Sequence, residues 1–252
     1  MATALALPLT LPRTFDNRTQ LKIEHAATEL DRRLLARELA DAPVLATGLD
    51  PLDRCLPGGG LPHGVTEVIG GCASGKLTLA FALLARALER GERAALIDPE
   101  ATAIPDVWRW PALERLLVVR GGGIRSALSA ADALLKTGAF ALVVLDLPGL
   151  AQDRSGPRPR TPPAGAFLRL AHTARAAHTP MVLVSERLPW RTSGLAATAA
   201  LRLEVAPEAS SSWAGLDRLS VAIARSRRGG EGERHLLDLN RAGTEAAAAE
   251  AA

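Results

Sequence analysis

Aromatic residues are scarce in this sequence: tyrosine is absent, and phenylalanine and tryptophan occur four times each in 252 residues. RNA recognition by a sheet that stacks bases on several aromatic side chains is therefore not expected. Cysteine occurs only as Cys55 and Cys72, which form no CxxC pair, so no disulfide framework or zinc cluster is predicted. No apolar run is long enough to cross a bilayer, and residues 1–12 lack the basic start of a signal peptide. We expect a cytoplasmic protein without a membrane partner.

Lysine is also scarce, because 27 of the 30 basic residues are arginine and only Lys22, Lys76 and Lys136 are lysine. The formal net charge is +3, which does not by itself require a nucleic-acid partner. With 48% hydrophobic and 23% charged residues, the composition is that of a globular protein able to bury a core. Since arginine fills almost every basic position, the placement of each lysine is informative.

The order of predicted elements divides the chain into an N-terminal tail and helix (1–43), a core domain (44–240) and a low-complexity C-terminal tail (241–252). In the core, strands alternate with helices and the central strands are apolar throughout, which predicts an α/β fold with a mostly parallel sheet flanked by helices. An antiparallel arrangement of the last three strands stays open. The predicted strands cover 65–69, 94–97, 116–119, 140–145, 181–184, 201–205, 219–224 and 235–239, and the predicted helices 77–89, 126–137 and 164–177.

An amphipathic helix is predicted over residues 19–40. Its apolar residues Ile23, Ala27, Leu30 and Leu34 recur at three- and four-residue steps, and charged residues occupy the other faces. Two interpretations stay open. The stripe packs on the parent domain, or it docks on another protein, since a connection rich in proline and glycine separates it from the core.

The strongest motif is the segment G-G-C-A-S-G-K-L-T, which follows a predicted strand and precedes a predicted helix. G-x4-G-K in this context is the pattern of a P-loop. Glycines let backbone N–H groups point inward and a helix N-terminus adds positive potential, so the segment is suited to hold phosphate, with the lysine on the outer phosphates. The predicted nucleotide-binding residues are Gly70, Gly71, Cys72, Ala73, Ser74, Gly75, Lys76, Leu77 and Thr78.

The loop departs from the pattern at one position. A P-loop has Ser or Thr after its lysine, and the hydroxyl binds Mg²⁺; here the residue is Leu77, which cannot coordinate a metal. The hydroxyl of Thr78 is rotated by about 100° from that position on a helix. Asp146, after an apolar strand, would hold Mg²⁺ as a Walker B carboxylate; the alternative is a polar residue that only marks a strand end. We expect weak binding of ATP and Mg²⁺, and weak or absent hydrolysis.

The order of motifs resembles the start of the core of RecA recombinases, with A-T-G-L-D-P-L-D at 46–53, G-G-G-L-P-H-G at 58–64, and then the glycine-rich loop. I-D-P-E, which ends at Glu100, is similar to the RecA segment that carries the catalytic glutamate, and V-V-L-D, which ends at Asp146, is similar to its Walker B strand. The resemblance implies a RecA-like core with Glu100 as the catalytic residue. Trp108 is the residue nearest to the position of the aromatic that stacks on adenine.

Other positions differ from RecA. Where RecA has Asn-Gln after its fourth core strand, this chain has Ser185-Glu186, and Glu186 would repel phosphate. A Pro/Arg-rich stretch replaces the first DNA-binding loop, and the second, 187–200, is short. A weak contact with single-stranded DNA is one interpretation of the arginines in these stretches; solvated loops are the other. The candidates for DNA contact are Arg154, Arg158, Arg160, Arg187 and Arg191.

A short RecA relative with these departures resembles the ImuA family, RecA-like accessory proteins of inducible mutagenesis that are often labelled SulA-like. The resemblance implies an accessory role in SOS-induced, error-prone translesion DNA synthesis, carried out through protein contacts and in association with the nucleoid. The implied partners are RecA, an ImuB-type Y-family polymerase homologue and an error-prone replicative-type DNA polymerase. Two alternatives stay open: an active DNA-dependent ATPase that remodels filaments, and a SulA-like scaffold that inhibits cell division.

Overall fold

A computed structural model of the protein describes residues 44–101, 112–147, 164–186, 198–208 and 218–239. Within these ranges the chain forms ten β-strands and four α-helices. The strands are β1 (Val44–Leu45), β2 (Leu61–Pro62), β3 (Val65–Gly70), β4 (Ala94–Asp98), β5 (Leu116–Arg120), β6 (Leu142–Leu147), β7 (Met181–Glu186), β8 (Leu201–Pro207), β9 (Arg218–Ser226) and β10 (Arg234–Asp238). The helices are α1 (Asp50–Cys55), α2 (Lys76–Glu89), α3 (Gly123–Thr137) and α4 (Ala164–Ala176).

Eight strands form one sheet in the order β10-β9-β8-β3-β7-β6-β4-β5. From β5 to β8 all neighbours are parallel, and β9 and β10 join as an antiparallel extension beyond β8. β1 and β2 form a separate antiparallel pair. The mostly parallel α/β architecture predicted from the sequence is confirmed. In parallel strands the carboxyl ends meet at one edge of the sheet, and in open sheets of this kind ligands bind at that edge.

The two faces of the sheet bury separate hydrophobic clusters. α2 covers one face, where Leu79, Leu83 and Leu84 pack with strand residues such as Val68 and Val144. α3 and α4 cover the other face, where Phe167 and Leu170 pack with strand residues that alternate with the first set. Because successive side chains of a strand point to opposite faces, central strands buried on both faces read as continuous apolar runs.

A glycine marks the C-terminal end of each of two helices, α2 and α3. α2 is followed by Gly91 at φ +74°, and α3 by Gly138 at φ +61°, whose N–H donates to the carbonyl oxygen of Leu135 at 3.1 Å. These are left-handed conformations that glycine adopts without a steric penalty. Both helix ends are where the sequence predicts them.

A short turn precedes α1, a helix that the sequence analysis did not predict. The carboxylate of Asp53 accepts hydrogen bonds from the backbone N–H of Thr47, at 2.8 and 3.0 Å, and from that of Gly48, at 3.2 Å. The hydroxyl of Thr47 accepts from the N–H of Leu49 at 3.0 Å. Six residues are too few for a recognisable helical period, but these contacts explain the residue types in T-G-L-D-P-L-D.

Some predicted boundaries were wrong. The strand predicted over 140–145 is β6, Leu142–Leu147, so Asp146 lies within the strand and is not beyond its end. The helix predicted from Ser126 begins three residues earlier, at Gly123, directly after the left-handed Gly122. The last three strands pair with one another in antiparallel fashion, as the sequence left open, and β8 also pairs in parallel with β3.

The predicted N-terminal helix, 19–40, and the C-terminal tail, 241–252, lie outside the described residues, so the division into 1–43, 44–240 and 241–252 stays a prediction. Across the described ranges, none of the helices combines the length and the apolar character needed to cross a membrane.

Candidate functional site

The glycine-rich loop connects the carboxyl end of β3 to the N-terminus of α2. Ala73 has φ +53° and Gly75 has φ +86°, so the backbone turns through the left-handed region twice within three residues. A non-glycine residue in this region is strained, and such strain concentrates at binding sites. Lys76, the first residue of α2, donates from Nζ to the carbonyl oxygen of Gly71 at 2.9 Å, which places the ammonium group over the loop.

The inside of the loop is closely packed. A Cβ added at Gly70 would overlap the Oγ of Ser74 and lie 2.7 Å from the carbonyl oxygen of Val205 on β8. A Cβ added at Gly75 would overlap a methyl group of Leu219 on β9. Ser74 is only 4% exposed, and its Oγ has no hydrogen-bond partner in the part of the chain that the structure describes. A backbone nest with positive φ, a helix N-terminus and an adjacent lysine fit a phosphate group.

Leu77 occupies the position at which a P-loop presents its metal-binding hydroxyl. Its side chain is half-buried and packs against the hydrophobic cluster beneath α2. An isobutyl group offers no oxygen to a cation, and hard cations such as Mg²⁺ take oxygen ligands. The residues present therefore fit phosphate, but they do not fit Mg²⁺ in the manner of a complete P-loop.

Carboxylates line the sheet edge beside the loop. Leu96, Val144 and Val184 pack on the α2 face, so Asp98, Asp146 and Glu186, each two residues further along its strand, point to that face as well. Asp98 and Asp146 are buried, at 0% and 5% exposure, and Glu186 is half-buried. Across the described ranges, no three His, Cys, Asp or Glu side chains come close enough together to hold a metal ion.

The remaining predicted residues are distributed as follows. Glu100 is exposed in the turn after β4, two residues beyond Asp98, and Thr78 is half-buried in the first turn of α2. Cys72 is an exposed free thiol in the loop. Trp108, the five arginines proposed for DNA contact and the apolar stripe of the predicted N-terminal helix lie outside the described residues.

A buried ion pair on the strand that leads into the loop was missed by the sequence analysis. On β3, the carboxylate of Glu67 accepts from Nε of Arg202 at 2.6 Å and from the hydroxyl of Ser185 at 3.4 Å. These residues lie on β8 and β7, so one side chain connects three neighbouring strands. Burial raises the pKa of Glu67, and the charge and hydrogen bonds of Arg202 oppose that shift. Since the partners are 118 and 135 residues away in the chain, local sequence patterns carry no signal for this contact.

The fold and this loop define the class of the protein: an open, mostly parallel α/β sheet with a glycine-rich strand–loop–helix connection. Comparison with known proteins shows what the chain is similar to. Residues 28–151 match the family model of the RecA N-terminal domain. The chain is similar to protein RecA of Acidothermus cellulolyticus, at 36% identity over 49% of this chain and 39% of that protein. It is also similar to protein RecA of Chlorobaculum tepidum, at 40% identity over 41% of this chain and 31% of that protein.

A third match is protein RecA of Clostridium acetobutylicum, at 31% identity over 52% of this chain. The chain thus spans between 31% and 41% of the length of these relatives. The matches cover about half of this chain and show a similarity to RecA and to the RecA N-terminal domain. The resemblance to RecA expected from the motifs is confirmed at that level.

Proposed function

We propose that this protein is a RecA-like accessory protein of the ImuA type, which acts through protein contacts in SOS-induced, error-prone translesion DNA synthesis. The observation that supports an accessory role over a recombinase role is the packing of Leu77. A RecA-type motor depends on metal-assisted phosphoryl transfer, and here the metal-binding position contributes an apolar contact to the core instead.

In this proposal the glycine-rich loop still binds a nucleotide. Its backbone and Lys76 would hold the phosphates, as the left-handed residues and the position of the ammonium group favour. Trp108 would approach the adenine, Asp146 would face a weakly held Mg²⁺, and Glu100 would take the place of the catalytic glutamate. Mg²⁺, when bound, would offset phosphate charge, but without a hydroxyl at position 77 we expect little hydrolysis.

The working surface in this proposal is the predicted helix 19–40. Its apolar stripe would bind RecA or the ImuB-type polymerase homologue, and through the latter the error-prone replicative-type polymerase. An amphipathic helix that lays its apolar face into a partner's groove is a common recognition mode. The arginines of the two loops would at most add weak phosphate contacts to single-stranded DNA.

Binding of the full-length protein to immobilised RecA and to the ImuB-type homologue tests the proposal. The double variant Leu30→Asn/Leu34→Asn alters the stripe, and the double variant Arg32→Asn/Arg33→Asn is the matched control on the charged face. We expect the first variant to lose at least about tenfold in affinity for one partner, or ~1.4 kcal/mol, and the control to stay within about threefold. Absence of binding to both partners, or unchanged affinity of the first variant, would contradict the proposal.

A further inference from the structure

In the described part of the chain, the glycine-rich loop is closely packed on one side and has an open side opposite to it. Towards β8 and β9 it is packed against Val205 and Leu219, where added Cβ atoms at Gly70 and Gly75 would meet the carbonyl oxygen and a side-chain methyl group. On the other side β3 pairs with β7, and Gly70 and Glu186 are Cα partners in that parallel ladder. Phosphate groups beyond those held by the loop itself must therefore extend over β7 and, after it, β6.

Carboxyl groups of the described residues lie on this open side. Glu186 ends β7, and Asp146 lies on β6 at the level of Val184, so both carboxyl groups lie at the carboxyl edge on the α2 face. The third carboxyl group, Asp98, has Arg120 as its neighbour in the ladder of β4 and β5. Among the described residues, Asp146 and Glu186 present carboxyl groups towards this side, and Lys76 supplies a cation in the loop.

Each added phosphate brings further negative charge towards these carboxylates. In a complete P-loop the metal held by the Ser or Thr hydroxyl offsets this charge, and Leu77 removes that compensation. The inner phosphates are less affected, because the loop backbone and the helix N-terminus favour them. Charge repulsion at the open side therefore acts mainly on the terminal phosphate of a triphosphate.

We propose that Glu186 makes this loop select a nucleoside diphosphate over the corresponding triphosphate. The inference rests on the nucleotide binding in the proposed function, and it adds which nucleotide the site takes and which residue sets that choice. The protein then holds a diphosphate as its resting ligand, and Glu186 is the specificity-determining residue of the site.

Calorimetric titration of the full-length protein with ADP and with ATP, in EDTA and again in Mg²⁺, tests this inference. The variant Glu186→Gln removes the charge at nearly constant shape. The control Glu89→Gln removes the same charge from an exposed residue at the far end of α2, about 20 Å along the helix from Lys76. Thermal unfolding of each variant confirms that the fold is retained.

In EDTA we expect the native protein to bind ADP at least about tenfold more tightly than ATP. Glu186→Gln should reduce this preference to about threefold or less, mainly by tightening ATP binding, whereas Glu89→Gln should leave it unchanged. Equal affinities for ADP and ATP in the native protein, or an unchanged preference for ADP in Glu186→Gln, would overturn this inference but not the proposed function.

Two further outcomes have distinct meanings. If neither nucleotide binds, nucleotide binding in the proposed function fails, and this inference fails with it. If Mg²⁺ tightens ATP binding in the native protein but not in Glu186→Gln, Glu186 is a metal ligand and the repulsion on which the inference rests is refuted.

Discussion

The guanidinium group of Arg202 lies 2.6 Å from the buried carboxylate of Glu67, which lies three residues before the end of the strand that leads into the glycine-rich loop. Glu67 is 6% exposed and Arg202 is 24% exposed at the side chain. Replacing one partner of such a pair leaves a charge buried without compensation, and this costs more than the pair contributes when intact.

Arg202→Met is therefore expected to destabilise the protein by about 2–3 kcal/mol, below the range for fully buried pairs because the arginine is partly exposed. Denaturant unfolding at neutral pH measures this change. The double variant Glu67→Gln/Arg202→Met should recover part of the loss, because no ionised group then remains buried. A loss of less than 0.5 kcal/mol would be of the size seen at ordinary surface positions and would contradict this account of the pair.

The pH dependence of stability provides a second prediction for Glu67. Burial raises the pKa of this carboxyl in the folded protein above the value of about 4.3 that it has in an unfolded chain. The folded state then binds more protons than the unfolded state between these two values, so the contribution of Glu67 to stability falls as pH rises through that window. Glu67→Gln should consequently gain stability relative to the native protein as pH rises above about 4.3, as measured by unfolding at a series of pH values. A difference that does not change with pH would argue against the raised pKa.

The turn before α1 depends on Asp53, whose carboxylate accepts from two backbone N–H groups. Asp53→Ala leaves those donors without this acceptor, and we expect a loss of about 1–3 kcal/mol. Asp50→Ala is the matched control, since Asp50 is an exposed acidic residue in the first turn of the same helix. Thermal and denaturant unfolding compare the two variants, and equal losses would show that the turn contacts contribute nothing specific.

Two adjacent glycines of the loop, Gly70 and Gly71, test how closely the loop is packed. At Gly70 a Cβ would overlap Ser74 and approach the backbone of Val205, whereas at Gly71 nothing lies within 4 Å. Gly70→Ala should lower stability by about 1–3 kcal/mol, which corresponds to a fall of several degrees in Tm, and should weaken nucleotide binding. Gly71→Ala should stay within about 0.5 kcal/mol of the native protein. Similar Tm values for both variants would mean that the loop is less closely packed than described.

Much of the fold follows from local patterns in the sequence. Apolar runs predict the central strands, and Gly91 and Gly138 mark helix ends that the structure confirms. The limits of β6 were wrong for a physical reason: Phe140 and Ala141 are apolar, but Ala141 donates to Arg93 in a connection, whereas Asp146 and Leu147 pair with β7. Strand limits depend on what the neighbouring strand offers, which the local sequence does not contain.

The candidate site also has a part that the sequence predicts and a part that it does not. The glycine-rich loop and the strand-end carboxylates are visible in the sequence because their spacing is local. The position of Glu186 opposite Gly70, and the contact of Glu67 with Arg202, depend on the order β8-β3-β7 in the sheet. That order is set by long-range packing, so these two arrangements can be read only from the structure.

The account as a whole depends on Leu77, and ATP turnover with Mg²⁺ tests it most directly. Leu77→Thr restores a hydroxyl. Leu77→Val, whose side chain has nearly the same shape as that of threonine, does not. We expect the native protein and Leu77→Val to show no turnover above background. Leu77→Thr should raise turnover at least about tenfold, or ~1.4 kcal/mol in activation free energy. Metal-dependent hydrolysis by the native protein as fast as that of an active RecA-type ATPase would contradict the account.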